Sequence, residues 1–385
     1  MERRTPQMAS RHSRTRLVSA GGDKKKSKGS FVIMLVLVNV LVLAGFIWKV
    51  MFPTTGGSAK SSVAAVGTSL RGATATSVAI PSASASTPTT KYTCVEPCRV
   101  LSNGVAMPFL LYGTAWKKER TEALVKLAFR NGFRGIDSAN QGRHYNEAAT
   151  GTAVAASIAK GLFTRGELFL QSKYTYPRGH ESGSEPYDVS ATVREQVRQS
   201  FASSLQKFGT DYLDSYLLHG PLVKKRLSPS DREVWAALEE LYAEGRVRAI
   251  GVSNFDAHQL AELISFAKVV PHLAQVRTFA STGWDDRTGG VWKVCQEHSI
   301  VYEAYSLLTA NRAALKSTAL HAVAASRKET EQQIAFRYAL GLGMVVLTGT
   351  TDDAHMAQDL FVAQTLNEAP LLQTQKETIR TAGMR

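Results

Sequence analysis

Three ionisable side chains each close a short apolar run: Asp137 after Phe133–Ile136, Lys173 after Leu168–Ser172, and His219 after Asp214–Leu218. An acid, an amine and an imidazole can move protons near neutral pH once their surroundings tune them. Ser253-Asn254, Gln275, Tyr305-Ser306 and Gly349-Thr350-Thr351 close later apolar runs. Amides and hydroxyls donate and accept hydrogen bonds, so they can fix the orientation of a polar ligand. Each feature alone has an ordinary reading. Asp137 suits a helix N-cap, Lys173 a solvated charge, His219 a core histidine on backbone, and Ser253-Asn254 a turn. Recurrence at the end of run after run points instead to one shared mouth.

The apolar runs that must position these groups fall at 109–113, 133–136, 167–171, 213–218, 247–252, 272–276, 300–304 and 344–347. Amphipathic stretches separate them, at 120–131, 146–160, 189–207, 231–244, 256–268, 288–298 and a broken 313–340, with 352–363 after the last run. Such alternation predicts an α/β fold of parallel strands with helical crossovers. The region 98–363 holds about 266 residues, close to the ~250 of a (β/α)8 TIM barrel. A doubly wound sheet is the alternative, and it usually carries a glycine-rich turn after its first strand. The turn here reads Gly113-Thr114-Ala115-Trp116. In a barrel, chemistry sits at the C-terminal ends of the strands, where the residues above fall. Ahead of it, Arg99–Leu101 and Val105–Phe109 flank Ser102-Asn103-Gly104, which predicts a β-hairpin.

The stretches GFRGIDSAN (132–140), FLQSKY (169–174), DYLDSYLLHGP (211–221), GRVRAIGVSNF (245–255), Gln275 and VYEAYSLLTAN (301–311) resemble the aldo-keto reductase family, in the family's order. That resemblance implies a (β/α)8 barrel that transfers hydride from NADPH, or NADH, to an aldehyde or ketone. It assigns Asp137, Lys173 and His219 the carboxylate, ammonium and imidazole roles beside an acidic tyrosine. The family places that tyrosine five residues after the aspartate, where this chain has Gly142. Tyr145 lies eight residues on, directly before Asn146-Glu147, and aligning on Asn146-Glu147 puts His144 in the slot. An enlarged loop from Asn140 to His144 that still delivers Tyr145 is the preferred reading; His144 is the alternative acid. A nearby ammonium would lower the phenol's pKa toward neutrality.

The same resemblance assigns Ser253, Asn254 and Gln275 to the nicotinamide carboxamide, Tyr305 to stacking on its ring, and Ser306 and Leu308 to the pyrophosphate. Leu307 stands where the family commonly has proline. At the adenosine end the family often has a Lys-Ser pair and a later arginine gripping a 2′-phosphate. Here the stretch reads Leu347-Thr348-Gly349-Thr350-Thr351, then His355. Gly349 and Thr350 can offer backbone N–H and hydroxyl groups to an anion at a helix N-terminus. NADPH is favoured on family grounds, although the lysine is absent. A catalytically impaired barrel that binds nucleotide as a regulatory or scaffold subunit is the rival function.

The net charge of +14 is concentrated at the front: residues 1–30 hold nine Lys/Arg against two acids. A globally basic nucleic-acid binder is therefore not implied. Residues 31–52, FVIMLVLVNVLVLAGFIWKVMF, are long enough at ~1.5 Å per residue to cross a ~30 Å hydrocarbon core. The basic flank predicts a signal anchor with residues 1–30 cytoplasmic and the rest lumenal or extracytoplasmic. A cleaved targeting segment is the alternative. Residues 53–92 read as a Ser/Thr/Ala-rich stalk with too little apolar content to fold, leading to the barrel and a polar tail in 93–385. The three cysteines form no Cys/His cluster, so no metal is expected. Cys94 and Cys98 either bridge in an oxidising lumen or remain thiols.

Overall fold

The computed structural model describes residues 94, 95 and 97–384. The basic tail at 1–30, the apolar span at 31–52 and the stalk at 53–92 lie outside the described residues. Among the described residues no helix is long and apolar enough to cross a membrane.

Strand β1 (Cys98–Val100) pairs antiparallel with β2 (Ala106–Pro108). Gly104 takes φ +82° in the connecting turn, a conformation open to a residue without Cβ. Cys94 and Cys98 are joined as a disulfide, and Cys295 is a buried thiol. Eight parallel strands then close into a barrel. They are β3 (Leu110–Gly113), β4 (Gly135–Asp137), β5 (Phe169–Tyr174), β6 (Leu213–Leu218), β7 (Val247–Ser253), β8 (Leu273–Arg277), β9 (Val301–Tyr305) and β10 (Val345–Thr348). β10 pairs with both β9 and β3, which seals the ring.

The helices follow as α1 (Thr121–Asn131), α2 (Glu147–Ala159), α3 (Val193–Phe208), α4 (Pro229–Ala243), α5 (Ala257–Phe266), α6 (Val291–Glu297), α7 (Arg312–Leu315), α8 (Thr318–Arg327), α9 (Glu331–Gly341), α10 (Asp353–Gln364) and α11 (Gln373–Ala382). Their starts are set by side chains that accept orphan N–H groups: Asn146, Thr192, Ser228, Asp256, Ser317, Thr330 and Asp352. The Thr192 cap shortens the helix expected over 189–207. Caps at Ser317 and Thr330 divide the stretch 313–340 into α7, α8 and α9. Helix α11 docks on the loop after β8, where the Trp284 indole N–H donates to the Ile379 carbonyl at 3.2 Å.

The barrel interior is layered by the two-residue period of a strand. Leu111, Phe169, Leu217, Ala249, Leu273, Val301 and Val345 form an apolar floor, plugged from below by Leu101 and Met107 of the hairpin. Two residues further along β5, β8 and β9 come Gln171, Gln275 and Glu303, all buried. Lys173 and Tyr305 follow two residues later. β5 therefore runs three residues past the 171 expected, because Gln171 and Ser172 are polar yet wholly buried. Their polarity interrupted the apolar run without ending the strand.

Helices α2 and α3 cross closely at Gly151. A Cβ there would lie 1.8 Å from the Lys207 carbonyl oxygen. Gly151→Ala must push two packed helices apart, so it should destabilise the fold by about 1–3 kcal/mol. A lowered urea midpoint checks this.

Candidate active site

Lys173 donates to the Asp137 carboxylate and, at 2.7 Å, to the Ser138 carbonyl. The two side chains are 0% and 2% exposed, so the pair receives no help from solvent. Asp137 is instead held by the polar layer beneath it. Its Oδ1 accepts from Gln171 Nε2 at 2.9 Å and from Gln275 Nε2 at 3.0 Å. The same Gln171 amide reaches Glu303 at 2.8 Å, and its carbonyl accepts from the Ser215 hydroxyl. Burial, and then the charge of Asp137, push the Glu303 carboxyl up to about 8.

The segment 140–146 projects a phenol over this pair. The Asn140 amide donates to the Ser200 carbonyl at 2.9 Å and Gln141 Nε2 to the Gly179 carbonyl at 2.7 Å. At the other end Asn146 caps α2. Between these anchors the Tyr145 ring lies 5.2 Å from Lys173 Nζ and 5.9 Å from the His219 ring. His144 also lines the cleft, with its ring 4.0 Å from that of Trp116. The phenol's pKa is not lowered. Burial pushes it well above the ordinary value, and Asp137, Tyr305 and Glu303 add to the rise. Tyr145 is therefore held protonated, the state an acid must start from.

His219 is held by Thr175, whose Oγ1 lies 2.7 Å from Nδ1. With the hydroxyl donating, the ring proton sits on Nε2. Burial, and then the Lys173 ammonium, push this imidazole well below its usual range, so it is neutral. The loop after β5 clamps the support: the Thr175 carbonyl accepts from the Tyr187 hydroxyl at 2.6 Å and faces His180 Nε2 at 3.1 Å.

A cleft of about 920 Å³ opens over these groups. Asp137, Tyr145, His219, Ser253, Asn254, Gln275, Tyr305, Ser306, Leu308, Gly349 and Thr350 all line it. Of the residues singled out in the sequence, Lys173 and Thr351 are not in its wall. Asn254 and Ser306 take φ +59° and +57°, backbone strain of the kind stored at binding sites. The Tyr305 hydroxyl donates to Asn254 Oδ1 at 2.5 Å, and Asn254 Nδ2 reaches Ser253 Oγ at 3.1 Å and the His219 carbonyl at 2.7 Å. Gln275 lines the cleft and its amide also donates to Asp137, so it supports the carboxylate as well. Sequence reasoning missed Gln171 and Glu303, although each stands two residues before a selected one on the same strand. It also missed Trp116, Lys117 and Arg277, which line the cleft from positions no motif marks.

These residues fit a nicotinamide dinucleotide. The volume matches a ligand pocket of roughly 300–1,000 Å³. Amide and hydroxyl groups surround one end, a flat phenol ring adjoins them, and the cations Arg277 and Lys117 stand along the wall for phosphates. The model of the aldo/keto reductase family matches residues 101–370. The chain belongs to the aldo/keto reductase family. It is an NAD(P)H-dependent carbonyl reductase, with NADPH as the cofactor. This reductase is 32% identical over 265 residues to an uncharacterized oxidoreductase, YtbE, of Bacillus subtilis, covering 68% of this chain and 85% of that one. It is 30% identical over 287 residues to NADPH-dependent codeinone reductase 1-2 of Papaver somniferum, covering 69% and 84%. Among solved structures, Bombyx mori aldo-keto reductase in complex with NADP superposes with a TM-score of 0.62 at 26% identity, covering 75% of this chain and 93% of that one.

The state of His219 gives a signed prediction. Its folded pKa lies below the unfolded value of ~6.5, so the unfolded chain takes up the proton first as the pH falls. Stability should therefore drop as the pH is lowered through about 6.5. The loss of urea midpoint between pH 7.5 and 5.5 should be smaller in His219→Gln than in the wild type.

Proposed function

We propose that Tyr145 is the proton donor of a membrane-anchored reductase of aldehydes or ketones. Bound NADPH supplies hydride to the carbonyl carbon. As charge grows on the substrate oxygen, the neutral His219 imidazole donates from Nε2 and orients that oxygen. Tyr145 gives it the proton, completing the alcohol. The phenolate left behind is formed beside the Lys173 ammonium, which favours it electrostatically. Asp137 keeps that ammonium charged and in place, and Gln171 and Gln275 keep Asp137 in place. Ser253, Asn254 and Tyr305 hold the nicotinamide, Ser306 and Leu308 adjoin the pyrophosphate, and Gly349 and Thr350 lie at the adenosine end.

One observation carries the choice of acid: the Tyr145 ring lies against Lys173 and His219, whereas His144 stacks on Trp116. Tyr145→Phe should cut kcat by at least ~10²-fold with NADPH binding retained. His144→Ala should keep kcat within several-fold. An active Tyr145→Phe beside an inactive His144→Ala would reverse the assignment.

The apolar run at 31–52 is the proposed anchor, with residues 1–30 in the cytoplasm and the barrel lumenal or extracytoplasmic. Support comes from the basic N-terminal flank and from the Cys94–Cys98 disulfide, which suits an oxidising compartment. In sealed vesicles carrying the full chain, the barrel should resist added protease until detergent is present. Digestion without detergent would place it on the cytoplasmic side.

A further inference from the structure

Lys117, in the loop between β3 and α1, holds its ammonium against the Gly349 carbonyl and 5.6 Å from the centre of the Tyr112 ring. Burial, and then the charge of Arg120, disfavour its positive form. A cation kept half-buried beside a second cation, at the wall of a ligand cleft, is a place where an anion would relieve both costs. The position opposite it has no side chain. A Cβ on Gly349 would lie 3.5 Å from Lys117 Nζ, so the lysine occupies the room that a longer residue at 349 would use.

NADPH has two anionic parts. Its pyrophosphate is shared with NADH, and its adenosine 2′-phosphate is not. The cleft wall offers two cations well apart in the barrel order. Arg277 ends β8 directly opposite Tyr305, the residue assigned to the nicotinamide ring. Lys117 lies across the mouth at Gly349, followed by Thr350 with its hydroxyl and by His355. The pyrophosphate, nearer the nicotinamide, falls to the Arg277 side. The dianionic monoester falls to the Lys117 side.

We infer that Lys117 selects NADPH over NADH by pairing its ammonium with the 2′-phosphate at Gly349-Thr350. The cation comes from the first barrel loop because the last strand ends in glycine. The inference rests on the proposed placing of Gly349 and Thr350 at the adenosine end of the cofactor.

The test is direct binding, followed by fluorescence titration of the full-length protein in detergent with NADPH and with NADH, without carbonyl substrate. Lys117→Met should weaken NADPH by at least about tenfold, the scale of one charge-assisted hydrogen bond to an anion. NADH should change by less than about twofold, which also reports an intact fold. The double variant Lys117→Ala/Gly349→Lys should recover most of the NADPH affinity, since the shortened side chain at 117 leaves room for the new lysine. Equal weakening of both nucleotides would assign Lys117 to the shared pyrophosphate and overturn the inference. Unchanged NADPH binding would overturn it as well. A wild type that binds neither nucleotide would overturn both the inference and the cofactor reading beneath it.

Discussion

An ammonium and a carboxylate with almost no exposed surface face each other at the centre of the barrel, and the surrounding hydrogen bonds hold the pair in place. Moving two ions out of water costs several kcal/mol each, and their attraction repays this only when further hydrogen bonds complete the site. Asp137 receives three donors on one oxygen, from Lys173, Gln171 and Gln275. Lys173 has a second acceptor in the Ser138 carbonyl. Burial, and then Asp137, raise the pKa of Glu303, the other buried carboxyl of the same layer. The apolar floor of Phe169, Leu273 and Val301 seals this layer from below.

The remaining parts of the site are adjusted to that pair. Tyr145 is presented by a loop tied down at Asn140, Gln141 and Asn146, so an enlarged connection still ends in a fixed place. His219 is oriented by Thr175, and Thr175 is in turn held by the folded loop 176–188. The long loop after β5 thus has a structural task. The phenol's raised pKa comes first from burial and then from the nearby Asp137, Tyr305 and Glu303.

Much of the fold was legible because strand and helix leave different periods in the sequence. All eight barrel strands lie where apolar runs alternate with amphipathic stretches, and each differs by a few residues at most. The errors are informative. β5 looked shorter because Gln171 and Ser172 are polar; the fold buries Gln171 inside the barrel and Ser172 on its outer side, against Glu147 and Ser204 of the helices. The helix expected over 189–207 looked longer because Val189 and Ala191 are apolar, whereas Thr192 with Glu195 sets the true start.

The sequence by itself determined the alternation of strands and helices, the family, and the residue types at the strand ends. These are local properties, written in periodicity and short motifs. Only the tertiary structure decided that Tyr145, and not His144, turns toward Lys173. The two neighbours on one loop meet different rings and charges, and the loop that carries them is anchored at Ser200 and Gly179, far away along the chain. It alone also joined Gln171 to Glu303 and set Lys117 over Gly349. Those contacts span 132 and 232 residues, and no local pattern encodes a distance closed only when the first and last strands meet.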